Sequence, residues 1–577
     1  MPFLFGAATM RGPAEGDPVG RSVLRTAWRS GGVLVGLAVA AASGAVVQVD
    51  RWAVFTDVRP AEAVSTPSVG VVAPLVRPAP HRDGQTDLNG DGHADLVVGG
   101  SVDRRNPDAS SWGVSVIYGG RKGLARPGNQ LWQESDFITG PPTRGTVSAL
   151  TTGDFDGDGY DDLAVGTDEV QLDYDDETFV GEVRIIYGSP RGLVAARSQV
   201  WLPSVVDGDE PDTADGYFGS ALAAADFGRG LFDDLAIGSS DWGDGRGSVT
   251  VLYGSATGLT GSGAQTWTQD SPGIAGRAVG ATGSSGIGDQ FGSALAAGPL
   301  TGGRYAALAI GAYGDGATRR RQGQGSVTVL YGSADGLTAS GADRWTHATP
   351  GIKGRPVESG GFGGTLTIGH FTGRAAADLA LTSADAGSNG RINVIRGGRG
   401  GLTARGDQLW TTRSLCRSER RYFSGQFAWS VTAGNYGHDS RGRAFDDLAI
   451  GGSGTVSVDD EASDSGAVLV LYGSPKGLSM RHRQIWGWDS PGVKGNPTGL
   501  DGDQYADSMS TGDFGRSRYD DLAVADVGMA VSRDGYGAVS VLYGTSSGLT
   551  PRGDQLWTVQ RLGRTSPRSW AERLADR

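Results

Sequence analysis

Cysteine is all but missing. Cys416 is the only one in 577 residues, so no intrachain disulfide can form, and no Cys-His signature surrounds it to suggest a catalytic thiol. A bacterial exported protein can do without disulfides, whereas an animal extracellular protein of this size usually cannot. Lysine is scarce too: Lys122, Lys353, Lys476 and Lys494 are four of 51 basic residues. With abundant Ala and Gly, that bias points to a GC-rich bacterial coding sequence. Positive charge is in deficit, with a net charge of -13, so phosphate would be repelled and nucleic acid is not expected as a partner. No Gly-X-Y period runs through the 98 glycines, which excludes collagen. No GxSxG elbow, P-loop or HExxH occurs, and the six histidines form no ligand pair, so nothing marks an enzyme.

Long apolar runs are missing with one exception. Gly31–Val47 is uncharged and apolar, follows Arg21, Arg25 and Arg29, and ends in small residues. Residues 1–48 therefore read as a signal peptide, or as a signal anchor if the run is left uncleaved. Residues 49–80 are rich in Pro, Ala and Val and read as a linker. The remainder is expected outside the cytoplasm, secreted or at the cell surface, with no other contact to a membrane.

What is present is repetition. A short strand recurs as DLVVGG, DLAVGT, DLAIGS, ALAIGA, DLALTS, DLAIGG and DLAVAD, with its leucine at Leu96, Leu163, Leu235, Leu308, Leu379, Leu448 and Leu522. The first and last lie 426 residues apart, so six intervals average 71 residues. A YGSxxGL-type turn and a QxW-type segment keep step, and six units begin with a segment like YFGSALAAADF. Each unit thus reads as four strands: A (FGSALAAAD), B (DLAIG), C (GSVTVLYG) and D (xQxW). In strand C, Val249, Val251 and Tyr253 alternate with Thr250 and Leu252, a period of two. Seven such units suit an all-β, seven-bladed β-propeller of four-stranded antiparallel blades over residues 81–560, with 561–577 as a tail. Solenoid repeats are commonly shorter, at about 20–45 residues. Unit one lacks an FG-type strand A before Asp87. The tail ending SPRSWAERLADR does not look like one, which leaves residues near 67–80 (PSVGVVAPLV) or another form of closure.

These units resemble the FG-GAP family. Phe218-Gly219, Phe291-Gly292 and Phe362-Gly363 carry the FG, and Gly311-Ala312-Tyr313 loosely carries the GAP. Integrin α propellers and the propeller of the GPI-specific phospholipase D family have this architecture. The resemblance implies Ca²⁺ loops between strands A and B, and partner binding on the opposite face.

The residues support the first implication independently. DLNGDGHAD and DFDGDGYDD place oxygen donors at positions one, three, five and nine: Asp87, Asn89, Asp91 and Asp95, then Asp154, Asp156, Asp158 and Asp162. Position seven, His93 or Tyr160, offers its backbone carbonyl, and Gly92 and Gly159 at position six let the chain turn back. Hard oxygen donors in this number suit Ca²⁺ better than Mg²⁺, and Zn²⁺ would want Cys or His. An EF-hand would need Glu at position twelve, where Val98 and Val165 stand. The remaining loops are degenerate: Asp226 and Asp234, Asn435, Asp439 and Asp447, and Asp513 and Asp521 retain parts of the set, while Pro299 and His370 open loops without it.

The B–C and D–A segments vary widely between units, and divergent loops on a rigid scaffold are where recognition tends to sit. Asp173, Tyr174, Asp175, Asp176, Arg319, Arg320, Arg321 and Trp242 are candidate contacts there. The expected function is a monomeric binding or adhesion module for an extracellular protein or glycan; the alternative is a hydrolase or lyase on polysaccharide or lipid-linked glycan. Arg405-Gly406-Asp407 and Arg552-Gly553-Asp554 occupy the turn before QLW, so the repeat itself accounts for them.

Overall fold

Side chains of a strand alternate between its faces, and here both faces of a sheet are covered. Strand C of the third repeat, Ser248–Tyr253, sends Val249, Val251 and Tyr253 into a core shared with the fourth repeat and Leu252 into one shared with the second. The same partition recurs, so seven apolar cores form, each between two neighbouring repeats. A sheet covered on both faces by copies of itself belongs to a closed ring of blades.

The computed structural model describes residues 85–575 apart from 103–110, 138–144, 172–178, 204–216, 282–287, 317–322, 385–389, 416–421, 440–442, 459–460, 464–465, 496–504, 533–534, 559 and 563–568. The signal segment, the linker, Cys416, Asp173–Asp176 and Arg319–Arg321 lie outside the described residues. Among the described residues no helix is long and apolar enough to cross a membrane.

The chain is a seven-bladed β-propeller of four-stranded antiparallel sheets. Blade 2 is representative: strands A (Thr146–Gly153), B (Asp162–Gln171), C (Phe179–Tyr187) and D (Val194–Trp201) pair in that order. Strands A of blades 3 to 7 are Phe218–Ala225, Phe291–Gly298, Leu366–Gly369, Tyr422–Gly434 and Tyr505–Gly512. Each strand A touches the next around the axis.

Ring closure corrects one expectation. The tail does supply strand A of blade 1: Ser569–Leu574 pairs antiparallel with strand B, Leu96–Val102, in the register Val98↔Leu574, Gly99↔Arg573, Gly100↔Trp570 and Ser101↔Ser569. A parallel bridge from Ser569 to Tyr536 joins it to blade 7. Leu574 packs in the core between blades 7 and 1. The FG signature was lacking because a tail that enters from the far end of the chain does not share the local sequence of the other A strands.

Two hydrogen-bonded belts run around the ring. In the first, the strand-C tyrosine and strand-D glutamine of one blade grip the leucine of the next blade's C–D turn. Tyr118 Oη donates to Gln130 Oε1 (2.5 Å), whose Nε2 donates to Leu193 O (3.0 Å). Gln199, Gln265, Gln484 and Gln555 repeat this on Leu259, Leu337, Leu549 and Leu124, and in blade 5, where Arg396 replaces the tyrosine, Gln408 holds Leu478 without it. In blade 4, Tyr331 alone reaches Leu402 N. The last link, Gln555 Nε2 to Leu124 O at 2.9 Å, closes the belt across the first and last blades. The YGSxxGL and QxW markers are thus two halves of one interblade contact.

Buried titratable groups fill some of the space between blades. His347 is 6% exposed, lies edge-on to Phe362 with centroids 4.6 Å apart, and has Nε2 3.3 Å from Asn393 Oδ1. Burial, helped by the Arg391 charge, pulls its pKa from 6.5 down to about 4. The unfolded chain therefore takes up this proton first, so stability is full above pH 6.5 and falls as pH drops toward 4. We expect the loss to be about 2 kcal/mol once partial solvent contact is allowed for. Urea midpoints at neutral and acid pH check this: His347→Gln should flatten the difference, and an unchanged difference would refute it.

Candidate metal centre

The A–B loops are held in shape by their own carboxylates. In the first loop Asp87 Oδ1 accepts from Gly90 N (2.7 Å) and Asp91 N (3.1 Å), and Oδ2 from Gly92 N (2.8 Å). In the second, Asp154 Oδ2 accepts from Gly159 N at 3.0 Å. In these two loops glycine suits position four for two reasons. Gly90 and Gly157 have φ of 71° and 70°, and a Cβ there would lie 2.6 Å from Tyr160 or Phe232 of the following blade.

Among the described residues one group of three carboxylates has ligand atoms within 4.8 Å of one another: Asp154, Asp156 and Asp162. These are positions one, three and nine of the second loop. Asp156 and Asp162 are buried and Asp154 is half-buried. Asp154 Oδ1 is a buried oxygen that accepts no hydrogen bond among the described residues. Burial pushes the Asp154 carboxyl up to about 6, and the charges of Asp158, Asp156 and Asp161 add to the rise. An orphaned oxygen among like charges is what a hard cation would satisfy, so the residues fit such an ion.

The other expected donors are placed less tightly. Asp158 is exposed and accepts from Tyr160 N at 3.0 Å. In the first loop Asp91 is exposed and accepts from His93 N at 2.9 Å, while Asn89 Oδ1 accepts from Asp91 N at 2.9 Å. Partial burial raises the pKa of both Asp91 and Asp158 from the ordinary aspartate value.

Position nine has a second task. Asp95 accepts from Leu88 N and Gly119 N, both at 2.9 Å, and Asp162 from Phe155 N and Gly188 N, both at 2.9 Å. Each clamps its A–B loop to the C–D turn of its own blade. Asp234 and Asp447 repeat the pair of bonds, although their loops are degenerate. An aspartate at position nine is therefore no sign of a metal by itself.

Sequence reading missed three kinds of participant. Asp161, at position eight, accepts from Asp87 N at 2.7 Å, and Asp233 and Asp520 do the same for Asp154 N and Asn435 N. Backbone bonds from position eight to position one of the preceding loop complete a second belt through all seven blades. Arg197 pairs with Asp156 at 2.7 Å and sits 4.9 Å from the Tyr187 ring centroid. In blades 3 and 7, position four is an arginine in the left-handed region, Arg229 (φ 66°) and Arg516 (φ 78°). Their guanidiniums lie 4.0 and 3.8 Å from the Tyr253 and Tyr543 centroids and donate to Gly263 O (2.6 Å) and Gly553 O (2.7 Å). A fixed side-chain cation thus binds together loops that lack the acidic set.

Both Arg-Gly-Asp aspartates are internal. Asp407 and Asp554 are 1% and 2% exposed. Asp407 Oδ2 accepts from Lys353 N at 2.7 Å, and Asp554 pairs with the Lys494 ammonium at 3.0 Å. They anchor the preceding D–A turn and are not presented to a partner.

A ring of seven blades with acidic hairpins between strands A and B defines a class of extended-repeat propeller. Part of the chain matches FG-GAP repeat families, and part is similar to integrin alpha chains. The FG-GAP-like repeat family matches residues 87–165 and the FG-GAP repeat family residues 146–185. Phosphatidylinositol-glycan-specific phospholipase D of Mus musculus is 36% identical over 113 residues, 19% of this chain and 13% of that protein. Integrin alpha-8 of Mus musculus is 30% identical over 175 residues (29% and 14%), and integrin alpha-PS2 of Drosophila melanogaster 34% over 161 residues (27% and 11%). The alignments span less than a fifth of these relatives. Among solved structures, an exotype rhamnogalacturonan lyase covers 79% of this chain and 86% of its own at 12% identity, with a TM-score of 0.31.

Proposed function

We propose that this chain is an exported, calcium-stabilised propeller that binds an extracellular protein or glycan through the face opposite its acidic loops. The observation that carries the reading is the unequal use of the two faces. On the acidic face the loops and C–D turns are engaged in the two interblade belts. The opposite face carries the connections that differ from blade to blade and an exposed tryptophan, Trp429. The apolar Gly31–Val47 run supports export.

Ca²⁺ is assigned to Asp154, Asp156 and Asp162, with Asp158 and the Tyr160 carbonyl completing the set. Asp87, Asn89, Asp91, Asp95 and the His93 carbonyl make up the second site. The ion would neutralise carboxylates that otherwise repel, and would stabilise the folded state by mass action, by about 3 kcal/mol at a hundredfold excess over Kd. We expect EDTA to lower the melting temperature. Asp154→Ala should remove most of that shift and Asp158→Ala a smaller part. An EDTA-insensitive melt with no metal in the purified protein would defeat the assignment. For the binding face, a glycan array combined with a hydrolysis screen should give binding without turnover; product release would replace the module by a hydrolase or lyase.

A further inference from the structure

We propose that the mouth of the propeller axis on the variable-loop face is a binding site for a neutral oligosaccharide, with Trp429 as its stacking platform. This rests on the reading of that face as the recognition face and narrows it to one place and one ligand chemistry.

The site is a cavity of about 730 Å³ whose walls come from the strand-A bulges of blades 6 and 7, the start of strand A and the end of strand B in blade 5, Tyr313 of blade 4, and Arg573 of the closing strand. That volume lies within the roughly 300–1,000 Å³ of small-ligand sites. The bulges are a repeated element, and those of blades 6 and 7 depart from the Gly-Ser form. Blades 3 and 4 carry Gly219-Ser220 and Gly292-Ser293 at this point, whereas blade 6 carries Ala428-Trp429. Trp429 is 53% exposed and belongs to none of the seven cores. An indole on the innermost strand that joins none of the buried cores is left half exposed inside a concavity.

The backbone beneath it is strained. Ala428 has φ of 62°, and Ala506, beside the cavity in blade 7, has φ of 75°, where blades 3 to 5 use Gly219, Gly292 and Gly363. Strain of this kind gathers at ligand-binding positions. Two side-chain bonds hold the platform in place: Thr365 Oγ1 donates to Trp429 O (3.2 Å) and Ser430 Oγ to Ala506 O (2.6 Å).

Polar groups share the cavity with the ring. The half-buried Asp507 lines the cavity. Burial pushes its carboxyl up, and the Arg573 charge opposes the rise. Arg573 also lines the cavity and is held there by Nε donating to Ser148 O at 3.0 Å. Ser383 is 7% exposed, lines the same cavity, and has a buried hydroxyl without a partner among the described residues.

A pyranose ring has one apolar C–H face and a rim of hydroxyls. Stacked on Trp429 it would bury that face and offer its rim to a carboxylate that accepts, a guanidinium that donates and a serine hydroxyl that does both. One carboxylate opposite one guanidinium favours a neutral ligand, and a net charge of -13 repels polyanions. A partner's lysine or arginine would also stack on an indole, but Arg573 disfavours it.

The probes are neutral trisaccharides of glucose, mannose, galactose and N-acetylglucosamine, titrated calorimetrically into the full chain. At least one should bind. Trp429→Ala should weaken it about tenfold or more, Trp429→Tyr much less, and Asp507→Asn about fivefold, with the melting temperature of Trp429→Ala unchanged. If Trp429→Ala does not fold, Asp507→Asn and Ser383→Ala take its place. Absence of heat with every trisaccharide overturns the proposal, as does binding that Trp429→Ala leaves intact, or a preference for polygalacturonate or a cationic peptide. If array binding survives Trp429→Ala but is lost in Trp242→Ala, the axial site falls and the recognition face stands. If no glycan or protein binds at either place, both fall.

Discussion

Deletion of residues 569–577 will lower the unfolding free energy by about 5 kcal/mol or more, or leave an insoluble chain. The closing strand unites three blades. It pairs with Leu96–Val102 of blade 1, Leu574 N donates to Ser508 Oγ of blade 7 at 3.1 Å, and Arg573 reaches Ser148 O of blade 2. Burial of Leu574, 6% exposed, contributes about 2 kcal/mol, and the ladder bonds about 1 kcal/mol each. Their sum rivals the whole stability of an ordinary domain. The deletion would also leave the inner edge of blade 1 unpaired, which invites aggregation. Thermal melts and gel filtration of the truncated chain measure both effects. A truncated monomer melting with the intact protein would show that the ring does not depend on this strand.

The second large effect is expected at the position-nine clamp, in a blade without the full acidic set. Asp447 is 1% exposed and joins Tyr436 N (2.9 Å) to Gly473 N (2.8 Å). In Asp447→Asn the side-chain amide turns a donor toward one of these N–H groups, leaving it buried and unpaired at a cost of about 3 kcal/mol. EDTA should not alter that difference. Asp162→Asn should lose the clamp and also part of the EDTA shift, because Asp162 serves the metal group as well. Urea midpoints with and without chelator separate the two roles. If Asp447→Asn is as stable as the parent, the clamp is incidental.

The fold was legible because its signals are local. Alternation in segments such as GSVTVLYG and turn glycines spaced within a few residues specify strands and hairpins one at a time, and sevenfold repetition makes them a ring. The candidate site was legible in part. Donor spacing marked Asp154, Asp156 and Asp162, which the fold brings together. The same spacing could not distinguish ligand from clamp at position nine, because the second bond is to a glycine some twenty-four to twenty-six residues further on. Nor could it foresee Arg229 and Arg516. Their stacking depends on tyrosines that fall beside them only after strand C has folded back.

By itself the sequence determined the blade, its number of copies and the oxygen-rich hairpins, since each depends on residues close in the chain. The tertiary structure alone decided three further matters: that residues near position 570 complete the first blade, that the Arg-Gly-Asp carboxylates are internal, and that Trp429 is left exposed beside a cavity. Those outcomes depend on pairings across more than fifty residues, and in one case across more than four hundred. Linear spacing carries no mark of such partners; only burial and hydrogen-bond completion in the closed ring select them.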